Sequence, residues 1–429
     1  MKKKISLLLC LVLVFSCIVG LLVACKPDNG PSDVLDKGRT INVYSWWDPT
    51  KPGIVGMKNG FEEKYKEYGV KLNFVMVGSY YETMMTKLAA GQDAIDVMML
   101  ASDQVPTFAK NGVIRPLTDN VTEEYLNDLY PAVKSGLYYN NEVYAVARDV
   151  TTKAAIINKD LFAEKNVPIP GDDWTWDDFN RIIKALSDKQ NQKWGFTYDN
   201  NADPLFPLFY LQNAKYFDAE KKESYLDSPE GIAAIKWLYD MTYTENAITT
   251  IGDAEGYGKY PEAFTKGHVG VMFGGLSQVD KVETAKVNFK VLPLPKAKDG
   301  TQRSHTFLNC WTVPTKTSNT AWAWKVVEYF SGAEGQKIAV DSGMGLPGSK
   351  TADIKTWAEA KEYRHYFVEA LNYAGTVPYP TGVNATRWQS EFIKQIADKI
   401  MNVKGLTAEK LEAAIIKMDN KLQYIFFGG

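Results

Sequence analysis

Ile95-Asp96-Val97-Met98-Met99-Leu100 is the stretch that decides the fold. A nearly continuous apolar run of this length reads as a strand buried on both faces, the kind found in parallel sheets. Upstream, 41–44 reads as a first strand. Met57, Phe61, Tyr65 and Tyr68 share one face of a helix over 54–68, and Val70, Leu72, Phe74 and Met76 alternate as a strand. Tyr81, Met84, Met85 and Leu88 line a short helix that stops at Gly91. Downstream, Ala154-Ala155-Ile156-Ile157 is a second buried strand. Phe179, Ile182, Ile183 and Leu186 mark a helix, and Ser228-Pro229 opens another with Pro in its first turn. A strand over 268–273 ends in Gly274-Gly275, 313–330 gives a turn and a Trp-rich helix, and Leu411, Ile415, Met418 and Leu422 mark a last amphipathic helix. Strand and helix alternate without an internal repeat, which predicts an α/β fold.

The chain has 429 residues, enough for two or three domains. Lys2, Lys3 and Lys4 precede an apolar run from Ile5 to Ala24, the layout of an export signal. It ends Leu22-Val23-Ala24-Cys25, which resembles the bacterial lipobox: cleavage before Cys25 and lipid on its thiol are expected. The alternative is an uncleaved anchor, since about 20 apolar residues span a bilayer. Residues 1–24 are thus read as a signal peptide and 25–38 as a tether, because Lys26-Pro27-Asp28-Asn29-Gly30-Pro31-Ser32-Asp33 is too polar to pack. The expected location is the outer face of a cell membrane, as on a Gram-positive surface.

The net charge of −2 becomes more negative when the leader lysines go, so no nucleic-acid partner is expected. Of four cysteines, Cys10 and Cys17 leave with the leader and Cys25 takes lipid, so Cys310 is left without a disulfide partner. The 24 Tyr, 19 Phe and 11 Trp exceed what a core needs and suit a protein that handles flat, weakly apolar ligand faces.

No catalytic or cofactor motif survives inspection. Asp172, Asp173, Asp177 and Asp178 are better read through Thr175-Trp176-Asp177-Asp178, a capping box. Asp199, Asn201 and Asp203 open like a calcium loop, but Pro204 and Tyr210 stand where Gly and Glu are required. His268, His305 and His365 are too far apart for a local metal motif. Gly256-Tyr257-Gly258 lacks the third Gly of a dinucleotide loop, and there is no P-loop. No metal, cofactor or enzymatic activity is expected.

Ligands of open α/β sheets lie beyond the carboxyl ends of strands. Trp46, Trp47 and Asp48 follow the first strand, an arrangement in which indoles stack on sugar faces and a carboxylate accepts from hydroxyls; core packing is the alternative. Tyr80 and Tyr81 follow the second strand, one expected toward the core and one toward ligand. Ser102 and Asp103 follow the third, as ligand contacts or a helix cap. Phe273-Gly274 would let backbone approach a ligand, or form a plain turn. Arg387-Trp388, after the loop 379–384, pairs a fork donor with a stacking face.

Several segments together are familiar in order. They are Phe61-Glu62-Glu63-Lys64-Tyr65, Leu88-Ala89-Ala90-Gly91, Gly112-Val113-Ile114-Arg115-Pro116-Leu117, Tyr144-Ala145-Val146-Ala147, and Ile157-Asn158-Lys159-Asp160-Leu161-Phe162. Then come Trp176-Asp177-Asp178-Phe179, Ala263-Phe264-Thr265-Lys266-Gly267, Val291-Leu292-Pro293-Leu294-Pro295 and Gly345-Leu346-Pro347. The chain resembles the extracellular sugar-binding proteins of ABC importers, the maltose-binding-protein-like family. It departs at Ile157, where the family has Tyr, and at Ala147, where Pro is frequent. The resemblance implies a type II periplasmic-binding-protein fold: two α/β lobes, a hinge and an interlobe ligand cleft. It places chain crossings near Asp149, Phe307 and Gly345. Lobe 1 would be 39–149 with 308–344, and lobe 2 would be 150–307 with 345–429. Arg148 and Asp149 at the first crossing, Asn309 and Trp311 at the second and Gly345 at the third become ligand candidates; Arg148 and Asp149 could instead lock the hinge by pairing. The implied role is capture of a carbohydrate, of oligosaccharide size given the many candidate stacking residues, by a monomer that serves ABC permease subunits driven by a separate ATPase. A binding protein for a polyamine or peptide, with Asp48, Asp103 and Asp149 as acids, and an extracellular glycosidase are the rivals.

Overall fold

The computed structural model describes residues 34–91, 94–198, 202–218, 223–249, 260–373, 377–378, 382–383 and 385–427. The leader with Cys25, most of the tether, Asp199 and Asn201, Gly256-Tyr257-Gly258, and Tyr379, Pro380, Thr381 and Asn384 lie outside that set.

Two sheets organise the chain. The first contains β1 (Thr40–Ser45), β2 (Lys71–Met76), β3 (Val97–Ala101), β4 (Val146–Thr151), β9 (His305–Thr312) and β10 (Val377–Pro378). β2, β1 and β3 run parallel, with Val43 opposite both Phe74 and Val97. β9 is antiparallel to β3 on one side and to β4 on the other. The second sheet contains β5 (Ala154–Asn158), β6 (Trp194–Thr197), β7 (Val269–Gly274) and β8 (Phe289–Leu292), in the order β8-β5-β7-β6. β3 is buried along its whole length, as its unbroken apolar run requires.

The helices form where the apolar spacing predicts, with shifts at their ends. α1 (Pro52–Lys64) starts on Pro52, buries Ile54, Met57 and Phe61, and gives way to a tighter turn at Lys66–Tyr68. α2 (Tyr80–Ala90) ends at Gly91 in the left-handed conformation; Met84 and Leu88 are buried as expected, with Tyr80 rather than Tyr81 completing the inward row. α3 (Trp176–Ala185) carries the capping box: Thr175 Oγ1 accepts from the Asp178 N–H, and the Asp178 carboxylate accepts from the Thr175 N–H. That assigns Asp178 to helix initiation. Ser228 caps α4 (Pro229–Tyr243). α5 (Thr320–Ser331) and α6 (Ala333–Asp341) pack beside β4, and α7 (Ala385–Gln395) packs against α8 (Ala408–Phe427).

Two strands at the centre are not evident from apolar patterning. β4 holds Arg148-Asp149 in its middle and β9 holds His305, Asn309 and Cys310, so neither shows a clean apolar run. These strands join the sheets: one apolar cluster contains Leu100 and Cys310, Val150, and Ile156 and Met272. Among the described residues no helix is long and apolar enough to cross a membrane.

Candidate functional site

The expected crossings come together in space. Asn309 on β9 lies opposite Asp149 on β4, and Leu346 exchanges backbone hydrogen bonds with Val150 at 2.8 and 2.9 Å. Between Asn309 and Cys310 the β4–β9 register shifts: Asp149 and Ala147 find partners and Arg148 has none opposite it. A bulge of this kind bends a strand and re-aims a side chain.

Arg148 and Asp149 form an ion pair with both side chains at 1% exposure or less. Burial pushes the Asp149 carboxyl up and the Arg148 guanidinium opposes it. Asn309 Nδ2 donates to Asp149 Oδ2 at 3.0 Å. Gln336 Nε2 donates to the Arg148 carbonyl at 2.5 Å, and Gln336 Oε1 accepts from the Gly348 N–H at 2.9 Å. Removing one member of a pair this dry typically costs about 3–5 kcal/mol, because the other charge is left stranded. Of the two roles open to Arg148 and Asp149, the structure shows mutual pairing.

The aromatic residues after β1 sit beside this pair. Trp47 is half-buried, with the Arg148 guanidinium carbon 4.5 Å and the exposed Lys51 ammonium 4.5 Å from its ring centre. Trp46, also half-buried, is held edge-on by Tyr80 at 5.1 Å and Tyr81 at 5.7 Å. Asp48 is exposed and its Oδ1 accepts from the Thr50 N–H and Oγ1, which holds its carboxyl below the ordinary value.

Several expected contacts are placed in the core instead. Tyr80 donates to the Tyr44 carbonyl and accepts from the Met99 N–H, so its hydroxyl ties β1 to β3; both tyrosines touch Trp46, and Tyr81 is the one only partly buried. Ser102 and Asp103 are buried, and Gln104 Nε2 donates to Asp103. Phe273 packs between Phe179 and Phe196 at 5.1 and 4.9 Å. A Cβ on Gly274 would stand 2.9 Å from the Gln278 side chain, so the room beside that glycine is taken by the protein itself. Trp311 is fully buried against Phe330. Trp388 is fully buried and stacked on Phe392 at 5.0 Å, so the stacking face expected beside exposed Arg387 is taken up by the core. Large apolar rings are those most often buried, and Phe273, Trp311 and Trp388 are each exposed by 1% or less.

Gln336 was not legible as part of this region. Its only signal is a polar residue on the inward face of α6, with Gly335, Ala339 and Val340.

The described residues build two main sheets flanked by helices, the α/β architecture that the sequence leads one to expect. The chain belongs to the bacterial extracellular solute-binding protein family, whose model matches residues 57–367. It is similar to a maltotriose-binding protein of Pyrococcus abyssi, 24% identical over 291 residues, an alignment that spans 66% of this chain and 61% of that protein's length. It is also similar to a galactooligosaccharide-binding protein of Bacillus subtilis, 23% identical over 369 residues and 82% of each chain. Among solved structures, an ABC substrate-binding protein from Listeria monocytogenes in complex with cycloalternan superposes with a TM-score of 0.76 at 22% identity, covering 90% of this chain and 99% of that one. A cyclic alpha-maltosyl-1,6-maltose binding protein from Arthrobacter globiformis gives 0.75 at 16% identity, over 91% and 99%. These superpositions place the fold in the maltose-binding-protein-like type.

Proposed function

We propose that this chain is a lipid-anchored receptor that captures an oligosaccharide and presents it to an ABC permease. The observation that carries the reading is the pair Trp46 and Trp47 at the carboxyl end of β1, half-exposed beside the segments at which the chain is expected to cross between lobes. Indole faces suit the C–H faces of pyranose rings, and the relatives named above are oligosaccharide-binding proteins. Sugar contacting both lobes favours the closed form by its extra contacts there. In this reading lobe 1 is 39–149 with 308–344, lobe 2 is 150–307 with 345–429, and Cys25 carries the lipid that keeps a monomeric receptor near its permease. The chain performs no chemistry on its ligand.

The polyamine alternative loses support from the acids it needs. Asp149 is neutralised by Arg148 and Asp103 is buried beside Gln104, which leaves Asp48 alone of the three exposed. A glycosidase needs one carboxyl raised as a general acid and a second beside it; Asp48 is lowered and Asp149 is sealed in its ion pair.

A thermal-shift screen over maltotriose, arabinooligosaccharides, galactooligosaccharides and spermidine tests the reading. A ligand at 100 times its dissociation constant adds about 2.7 kcal/mol. Stabilisation by spermidine and by none of the sugars would overturn it, and cleavage of a sugar would overturn the binding-only role. For the anchor, metabolic labelling with an alkyne fatty acid should mark the wild type and not Cys25→Ser.

A further inference from the structure

Arg148 is adjacent to Asp149 in sequence and yet meets it, although consecutive residues of a regular strand point to opposite faces. The bulge makes the meeting possible. The guanidinium lies between two indoles, with its carbon 4.5 Å from the Trp47 ring centre and 5.6 Å from that of Trp311. Trp311 is immobilised in the core; Trp47 is half-exposed. Arg148 Nη1 takes the bond to Asp149, while Nε and Nη2 are buried with no hydrogen-bond partner among the described residues. Stacking, rather than a full set of hydrogen bonds, therefore fixes the plane of this side chain. A lysine could keep the charge and could not supply the plane.

The same residue is fastened to the expected crossings. Its carbonyl accepts from Gln336, Asp149 accepts from Asn309, and Gly345 abuts the Asp149 carboxylate at a distance that excludes a Cβ.

We propose that Arg148 is a positioning residue that holds the Trp47 indole against the hinge, so that ligand stacked on Trp47 and movement of the hinge bear on one ion pair. This rests on the reading of Trp46 and Trp47 as ligand contacts. It assigns Arg148 no contact with the ligand.

The test uses the chain without residues 1–24, with Cys25→Ser, labelled with 5-fluorotryptophan. The Trp47 fluorine line is assigned by its loss in Trp47→Phe. In Arg148→Lys, without ligand, that line should shift and show a larger solvent isotope effect than in the wild type, where Trp47 is half-exposed. With whichever of the three oligosaccharides stabilises the wild type, Arg148→Lys should weaken binding about tenfold, the scale of one desolvated cation–π contact. In the Trp47→Phe background the same substitution should add nothing. An unchanged Trp47 line, or losses of affinity that multiply, overturns the proposal. If no sugar binds the wild type, the reading of the site fails, and the ligand-free line still decides the role of Arg148. Should Arg148→Lys fail to fold, Arg148→Gln with Asp149→Asn removes both buried charges; the Trp47 line should move there as well, and an unmoved line overturns the proposal.

Discussion

Gly345 sits so close to Asp149 that a Cβ on it would stand 2.7 Å from Asp149 Oδ2. Asp149 cannot yield, because Arg148 and Asn309 hold its two oxygens. Gly345→Ala is therefore an overpacking change against the Arg148–Asp149 pair and should cost about 1–3 kcal/mol in urea unfolding. Gly78→Ala is the control: nothing lies within 4 Å of its Cβ position, and its stability should stay within about 0.5 kcal/mol of wild type.

Trp388 should behave as a core residue. It is fully buried and stacks on Phe392 with 13° between the ring planes. Trp388→Ala should lose about 3–5 kcal/mol of stability. Trp388→Phe should lose less and leave oligosaccharide affinity, measured by calorimetry, within about twofold of wild type, because no ligand contact is removed. A tenfold loss of affinity in a stably folded Trp388→Phe would return this ring to the cleft.

Cys310 should be inert in the native protein. Burial pushes its thiol well above the ordinary value, with Asp149 and Asp103 adding to the effect. The thiolate is the reactive form. In the chain without residues 1–24 and with Cys25→Ser, an aromatic disulfide reagent should label Cys310 only at the rate of unfolding, and at once in denaturant.

Asp188 should make stability depend on acid. Lys165 Nζ and Asn191 Nδ2 each donate to it at 2.7 Å, with the Asn191 N–H at 3.3 Å, and these bonds lower its carboxyl to about 2. The unfolded value is about 3.9. A depressed folded value stabilises above the unfolded one, so the contribution is complete above about pH 4 and fades as pH falls toward about 2. Asp188→Asn should be less stable than wild type at pH 7, with the gap closing across that interval in urea melts.

The parts of the fold read correctly from sequence are those set over a few residues. The run 97–100, the Thr175–Asp178 capping box and the Ser228-Pro229 helix start each depend on neighbours within one turn or one strand. β4 and β9 are not legible from local pattern because buried polar residues interrupt their apolar runs and meet partners only across the sheet, as Asp149 meets Asn309. Trp46 and Trp47 were legible as site candidates from their place after a strand. The roles of Trp311 and Trp388 were not, since nothing local distinguishes an indole that stacks on Phe330 or Phe392 from one that meets a ligand.

By itself, then, the sequence determined an α/β chain, its helix starts, a leader pattern ending at Cys25 and a resemblance to sugar receptors. Those properties rest on short-range periodicity, capping chemistry and ordered segments. Only the tertiary structure decided that, of the two tyrosines against Trp46, Tyr80 is buried and Tyr81 only partly so. Only it showed that Arg148 is spent on Asp149, Trp47 and Trp311, and that Gly345 is needed for its lack of a side chain. Those outcomes depend on contacts between residues as far apart as Trp47 and Arg148 or Asp149 and Gly345, and a side chain's burial is a property of such neighbours, not of its own position in the chain.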